Sequence, residues 1–138
     1  MQDKFFKDVE VALERIRHII RRTPLQFSPS LSEESGAEVF LKLENFQVTG
    51  SFKARGASNK MTLLSKEGPK KIITASSGNH GSAVAYAAGI LKLDTLIFLP
   101  ESVSPAKLNK IKYLGADYQI KGKTSGDAET EGRIYAEK

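Results

Sequence analysis

The sequence predicts an α/β fold, an open parallel sheet with flanking helices, and three observations carry that prediction. Short β-branched or apolar runs alternate with helical stretches from residue 38 onward. The run Asp94-Thr95-Leu96-Ile97-Phe98-Leu99 is almost continuously apolar, as expected of a strand buried on both faces. Two polar, glycine-bearing turns, at residues 49–56 and 76–81, fall where a strand gives way to a helix. Strands joined through helices imply right-handed crossovers, and ligands of such sheets bind outside the carboxyl ends of the strands.

The elements follow in order. Residues 5–21 carry Phe5, Val9, Leu13, Ile16 and Ile20 in steps of three and four, with Phe6, Ala12 and Ile19 beside them, so one side of a helix is apolar. Asp3 is its expected N-cap, and His18 is expected on its polar flank. Thr23-Pro24 closes it, because the residue before a proline is driven out of the α region. Residues 27–36 read as a serine-rich loop and residues 38–43 as a strand. Residues 51–64 are helical in composition, 71–75 form a short β-branched strand, and 81–88 form a helix of small residues packing closely on the sheet, with Gly89 as its C-cap. After the strand at 94–99, Pro105 opens a helix that Gly115 closes. Residues 118–120 make a last strand, and a final helix begins near Ser125.

Composition bounds the function. The chain of 138 residues fits one domain with a real core, 40% hydrophobic and 27% charged. No apolar run is long enough to span a membrane, and Met1-Gln2-Asp3-Lys4-Phe5-Phe6 lacks the apolar stretch of a secretory signal. Cysteine is absent, which removes disulfides and thiolate metal sites and is compatible with a cytoplasmic location. The net charge of +5 is dispersed, with Arg15, Arg17, Arg21 and Arg22 balanced by Asp3, Asp8, Glu10 and Glu14. Solvated helix faces explain that pattern better than a nucleic-acid surface.

Two stretches carry chemistry. The turn Ser76-Ser77-Gly78-Asn79-His80-Gly81 ends where a helix begins, so backbone N–H groups lack intrahelical partners and the helix dipole adds positive charge. Gly78 and Gly81 permit close backbone approach. The turn reads either as an anion cradle for a carboxylate or small phosphate, or as an ordinary helix start capped by serine and asparagine. In Thr49-Gly50-Ser51-Phe52-Lys53-Ala54-Arg55-Gly56, Lys53 reads either as a solvated lysine or as an amine made nucleophilic by an apolar setting among Phe52, Gly50 and Gly56. An amine beside an anion cradle suits Schiff-base chemistry on an amino acid. Other chemistries fit worse. The spacing of a P-loop and the Gly-x-Gly-x-x-Gly fingerprint are missing. His18 and His80 have no carboxylate cluster near them in sequence for a metal site, and Ser77 is not in a Gly-x-Ser-x-Gly elbow.

Those two motifs together closely resemble the threonine dehydratase and serine racemase group, pyridoxal-phosphate enzymes of the tryptophan-synthase-β-like fold. Thr23-Pro24-Leu25, Leu41-Lys42-Leu43-Glu44-Asn45, Pro100, Pro105 with Lys107, and Gly115-Ala116 agree in order. The resemblance implies pyridoxal 5'-phosphate as cofactor, with Lys53 as the lysine that bonds it and then abstracts the Cα proton. It implies that Phe52 packs on the pyridine ring and that Asn79 hydrogen-bonds the phenolic oxygen. Ser76, Ser77, Gly78, Asn79 and His80 are implied to hold the substrate carboxylate. Ser77 matches the acid/base of the opposite face in the racemases. The implied reaction is β-elimination from threonine or serine to 2-oxobutanoate or pyruvate and ammonia. Serine racemization is the alternative, and a truncated, non-catalytic domain pairing with a full-length subunit is a third.

The resemblance also sets expectations about extent. The family's chains are more than twice as long, and their glycine-rich phosphate loop lies downstream, whereas no run of three glycines occurs here. The chain is therefore expected to be an N-terminal portion. Residues 1–46 are expected to belong to an incomplete large domain, and 47–138 to be a small α/β domain. The first helix is then short of a packing partner, and a homo-oligomer is expected at full length. Near Lys92, where many members have glycine, the sequence departs from the pattern.

Overall fold

The computed structural model describes residues 2–68 and 71–137. Helix α1 (Gln2–Ile16) begins the chain. Asp3 lies within its first turn rather than capping it, and its carboxylate there still favours the positive end of the helix dipole. The helix stops four to five residues sooner than its apolar periodicity implies. Side chains from elsewhere take the next backbone groups: Tyr86 donates its hydroxyl to Ile19 O at 3.0 Å, and Gln47 both accepts from Arg21 N at 2.8 Å and donates to Arg21 O at 2.9 Å. His18 consequently lies past the helix.

Strand β1 (Leu25–Phe27) runs up to the stretch that composition assigns to a loop, and helix α2 (Pro29–Ser35) occupies most of that stretch. Pro29 opens α2 with its fixed φ, and Gly36 ends it at φ 69°, a left-handed position that favours glycine. Ser32 Oγ donates to Ser28 O at 2.8 Å and accepts from Val39 N at 2.9 Å, so the serines form a local scaffold. Strand β2 (Phe40–Lys42) returns antiparallel to β1, pairing Leu25 with Lys42 and Phe27 with Phe40. These two strands make a separate ribbon instead of starting the parallel sheet.

A single 3₁₀ turn (Glu44–Phe46) and an irregular turn lead into α3 (Lys53–Leu64). Then come β3 (Ile72–Ala75), α4 (Asn79–Leu91), β4 (Thr95–Leu99), α5 (Pro105–Tyr113), β5 (Asp117–Ile120) and α6 (Ser125–Ala136). The three strands are parallel in the order β3-β4-β5. All of β4 is buried, as its apolar run requires of a central strand. Its side chains alternate between faces: Ile97 and Leu99 meet Ala85 of α4 and Ile111 of α5, while Leu96 and Phe98 meet Ala128 of α6. Gly132 lets α6 lie close to the sheet, since a Cβ there would touch the Phe98 ring at 3.4 Å. A third cluster joins α3 to α4 through Ala57, Met61, Ala83, Val84, Ala87 and Ala88, small residues that bring the two helices close.

Helix α4 outlasts its expected end. Gly89 is interior to it, and Lys92 is the cap, at φ 54° and ψ 45°. Among the described residues Lys92 is the non-glycine position with positive φ, at the place where the sequence departs from the family pattern.

Candidate active site

Lys53 is the first residue of α3. The chain reaches it through the turn at residues 47–52, where Gly50 N donates to Gln47 O at 2.7 Å and Gly50 adopts φ 75°. Gln47, Thr49 and Ser51 are buried, whereas Phe52 is 60% exposed and Lys53 is exposed, its Nζ lying 5.1 Å from the Phe52 ring centroid. The close-packed apolar setting expected around this amine is not provided by the described residues; the open side of Phe52 and Lys53 faces a cavity instead.

That cavity is about 470 Å³ and runs between α3, β3 and the start of α4. Its lining includes Phe52, Lys53 and Gly56 at the start of α3, Ile72, Ile73 and Thr74 of β3, and His80 of α4. The first turns of two helices therefore open on one space. His80 also borders a neighbouring cavity of about 370 Å³, shared with Ala75, Glu129 and Arg133. Desolvation, and then the Lys53 charge, hold the His80 imidazole below its ordinary range and so favour its neutral form.

Ser76, Ser77, Gly78 and Asn79 do not line the Lys53 cavity; they form the turn directly ahead of His80. The N-cap of α4 is Gly78, in extended conformation and without a capping side chain. Serine and asparagine thus do not cap this helix, and the first bond from its interior runs from Ser82 N to Gly78 O at 3.1 Å. The amides of Asn79, His80 and Gly81 precede that bond and remain available to an anion. Ser76 Oγ accepts from Gly78 N at 3.3 Å, and Ser77 Oγ has no hydrogen bond among the described residues. Gly81 is sterically required, because a Cβ there would meet Ser76 O at 1.9 Å.

Sequence reasoning missed the polar cluster that fixes α3 from below. Arg55 grips Glu44 with two bonds, Nε to Oε2 at 2.9 Å and Nη2 to Oε1 at 2.7 Å, and Thr23 Oγ1 donates to the same carboxylate. The Arg55 hydrogen bond, opposed by burial and helped by Thr23 and by the charges of Arg55 and Lys42, lowers the Glu44 carboxyl to about pKa 2. Both residues stand in the quoted motifs, but eleven positions separate them, a spacing that no helix or strand rule reads.

An amine at one helix start, free amides at another and a cavity between them fit an aldehyde-bearing, anionic cofactor together with an amino-acid carboxylate. The chain belongs to the pyridoxal-phosphate-dependent enzyme family, whose pattern it matches over residues 16–138. Among its relatives, the catabolic L-threonine dehydratase TdcB of Staphylococcus aureus (strain USA300) is 47% identical over 132 residues, covering 94% of this chain and 37% of the relative. The processed form of threonine deaminase isoform 2 from Solanum lycopersicum superposes with a TM-score of 0.88 at 33% identity, covering 99% of this chain and 38% of that one. Serine racemase from Dictyostelium discoideum gives a TM-score of 0.85 at 36% identity, over 95% and 43%. The α/β fold is that of these fold-type II enzymes, and the chain spans well under half of their length.

Proposed function

We propose that this chain carries the lysine and the carboxylate-binding turn of a pyridoxal-phosphate-dependent L-threonine/L-serine ammonia-lyase. The observation that carries the reading is the meeting of Lys53 at the start of α3 and His80 at the uncapped start of α4 on one cavity. Bound there, pyridoxal phosphate supplies an electron sink for charge developing at the substrate Cα.

The chain's own residues do the rest. Lys53 holds the cofactor through its amine and then takes the Cα proton. Phe52, exposed at the cavity edge, offers its ring to an aromatic face. The free amides at the head of α4 bind the substrate carboxylate, and the Asn79 side chain donates to the cofactor's phenolic oxygen. His80 borders the same cavity, where desolvation favours its uncharged imidazole. Residues 1–46 are assigned to a large domain and residues 47–138 to a small α/β domain that carries Lys53 and the turn before α4. Assembly as a homo-oligomer in the cytoplasm completes the proposal.

Ser77 supports serine racemization as a second reading. Its hydroxyl, without a partner among the described residues, is free to exchange a proton on the face opposite Lys53. The test is borohydride reduction of the intact protein with cofactor, followed by peptide mass mapping and by assays of 2-oxobutanoate, pyruvate and D-serine. The expected result is a pyridoxyl group on Lys53, lost in Lys53→Ala, with 2-oxo acid formed from threonine. A label on another lysine refutes the site. D-serine without 2-oxo acid replaces the lyase reading with the racemase.

A further inference from the structure

We infer that Lys110, on α5, is a positioning residue for Lys53, acting through the turn at residues 47–52. The inference rests on the reading of Lys53 given above and concerns what holds that residue in place. Lys110 Nζ donates to Thr49 O at 2.9 Å, across 61 positions of sequence. The acceptor is buried, with Thr49 only 3% exposed, and lies four residues before Lys53.

The turn has few other holds. Gln47 anchors its start, bonded to both backbone groups of Arg21 and to Val48 N. Gly50, in the left-handed region, reverses the chain, and Ala54 N reaches back to Ser51 O at 3.3 Å. Between those two ends the side chains of Thr49 and Ser51 are buried, and neither hydroxyl has a hydrogen-bond partner. The bond from Lys110 is thus the polar contact, among the described residues, that secures the middle of the turn from outside it. A charged donor to a buried carbonyl is worth more than a neutral one, and losing it leaves a third polar atom without a partner within three residues.

Helix α5 is a firm base for such a hold. Ile111, adjacent to Lys110, is fully buried against Ile97 and Leu99 of the central strand. Lys110 itself is an exposed residue, so changing it removes the bond without opening the core. The geometry therefore couples the start of α3 to the parallel sheet at a single charged contact.

The experiment compares wild type, Lys110→Met and Lys110→Arg in the intact protein by amide hydrogen exchange. It also measures the pyridoxal phosphate concentration giving half-maximal borohydride-trapped label on Lys53. The expected result for Lys110→Met is about tenfold faster exchange at residues 48–52 with β4 unchanged, and about tenfold more cofactor for half-labelling. Lys110→Arg, which keeps a charged donor, is expected to restore both. Unchanged exchange in Lys110→Met overturns the inference, as does acceleration spread equally over β4, or failure of arginine to restore the turn. Absence of label on Lys53 in wild type refutes the reading of Lys53 instead, and the exchange measurement still decides the role of Lys110.

Discussion

Replacing Glu44 by glutamine removes a charge that three groups converge on. Arg55 contributes a two-bond fork at 2.7 and 2.9 Å, and Thr23 contributes its hydroxyl; Lys42, which donates to Thr23 O at 2.6 Å, adds its field. The Glu44 side chain is 17% exposed and that of Arg55 31%, so the pair is screened only in part. Moving a carboxyl from its ordinary 4.5 to about 2 corresponds to about 3 kcal/mol. Solvent around Arg55 reduces that to about 2 kcal/mol. Because the folded pKa is depressed, this stability is fully present above the unfolded value near 4.5 and is lost as pH falls toward 2. Urea unfolding of wild type and Glu44→Gln, followed by far-UV circular dichroism, reads it directly. At pH 7 the variant's midpoint is expected about 1 M lower, and the gap should narrow to roughly a quarter of that as pH is lowered to 2.5. Glu44→Gln combined with Arg55→Met is expected to recover part of the loss, because the guanidinium no longer stands half-buried without its partner. A gap of the same size at pH 7 and pH 2.5 refutes the assignment of the stability to this carboxylate.

Three glycine-related substitutions and one control test the backbone around α4. Lys92→Gly relieves a Cβ held at φ 54° and is expected to raise the melting temperature by about 2–4 °C, whereas Lys92→Ala, which keeps the Cβ, is expected to leave it unchanged in a thermal melt. Gly81→Ala drives a methyl into Ser76 O and is expected to cost about 1–3 kcal/mol in chemical denaturation and to abolish carboxylate-dependent activity. Gly89→Ala, in the same helix but with its nearest neighbour at 3.6 Å, is expected to be neutral or to stabilise by about 0.5 kcal/mol.

What the sequence discloses depends on how local the cause is. Strand β4 and helix α5 are legible because their determinants lie within them: an unbroken apolar run, and Pro105 at one end with Gly115 just past the other. The start of α4 is legible for the same reason, since Gly78 and Gly81 act on their own backbone. The end of α1 is not, because Tyr86 and Gln47, far along the chain, claim the backbone groups that would have continued the helix. Helix α2 is hidden by its brevity and by serines whose hydroxyls bond backbone on the spot, a composition that suits loops equally well. At the site, Lys53 and the turn before α4 are visible as motifs. The supports of Lys53 are not visible, because Glu44 with Arg55 and Thr49 with Lys110 meet only after folding.

Buried apolar residues are spread unevenly along the described chain. Among the described residues sixteen hydrophobics are buried; Ile16 and Ile19 come from residues 1–46 and fourteen from 47–138. The large exposed hydrophobics lean the other way: Phe5, at 69%, and Phe6, Val9 and Leu13 bare one flank of α1, Val11 is exposed on another, and Leu25, Phe27, Phe40 and Leu41 bare the ribbon. An amphipathic helix gains its stability by covering its apolar face, so α1 has most of that gain still to make. The three-layer unit of β3, β4 and β5 with its helices has already made it, through the three clusters around Ala57, Ile97 and Phe98. Lys53 stands at the seam between these two regions. Its helix packs on α4 within the closed unit, while the turn that delivers it is tied to Arg21 on one side and to α5 on the other. On the proposed reading, the lysine that bonds the cofactor is therefore held from two directions, by the packing of α3 on α4 and by the ties of its turn to Arg21 and Lys110.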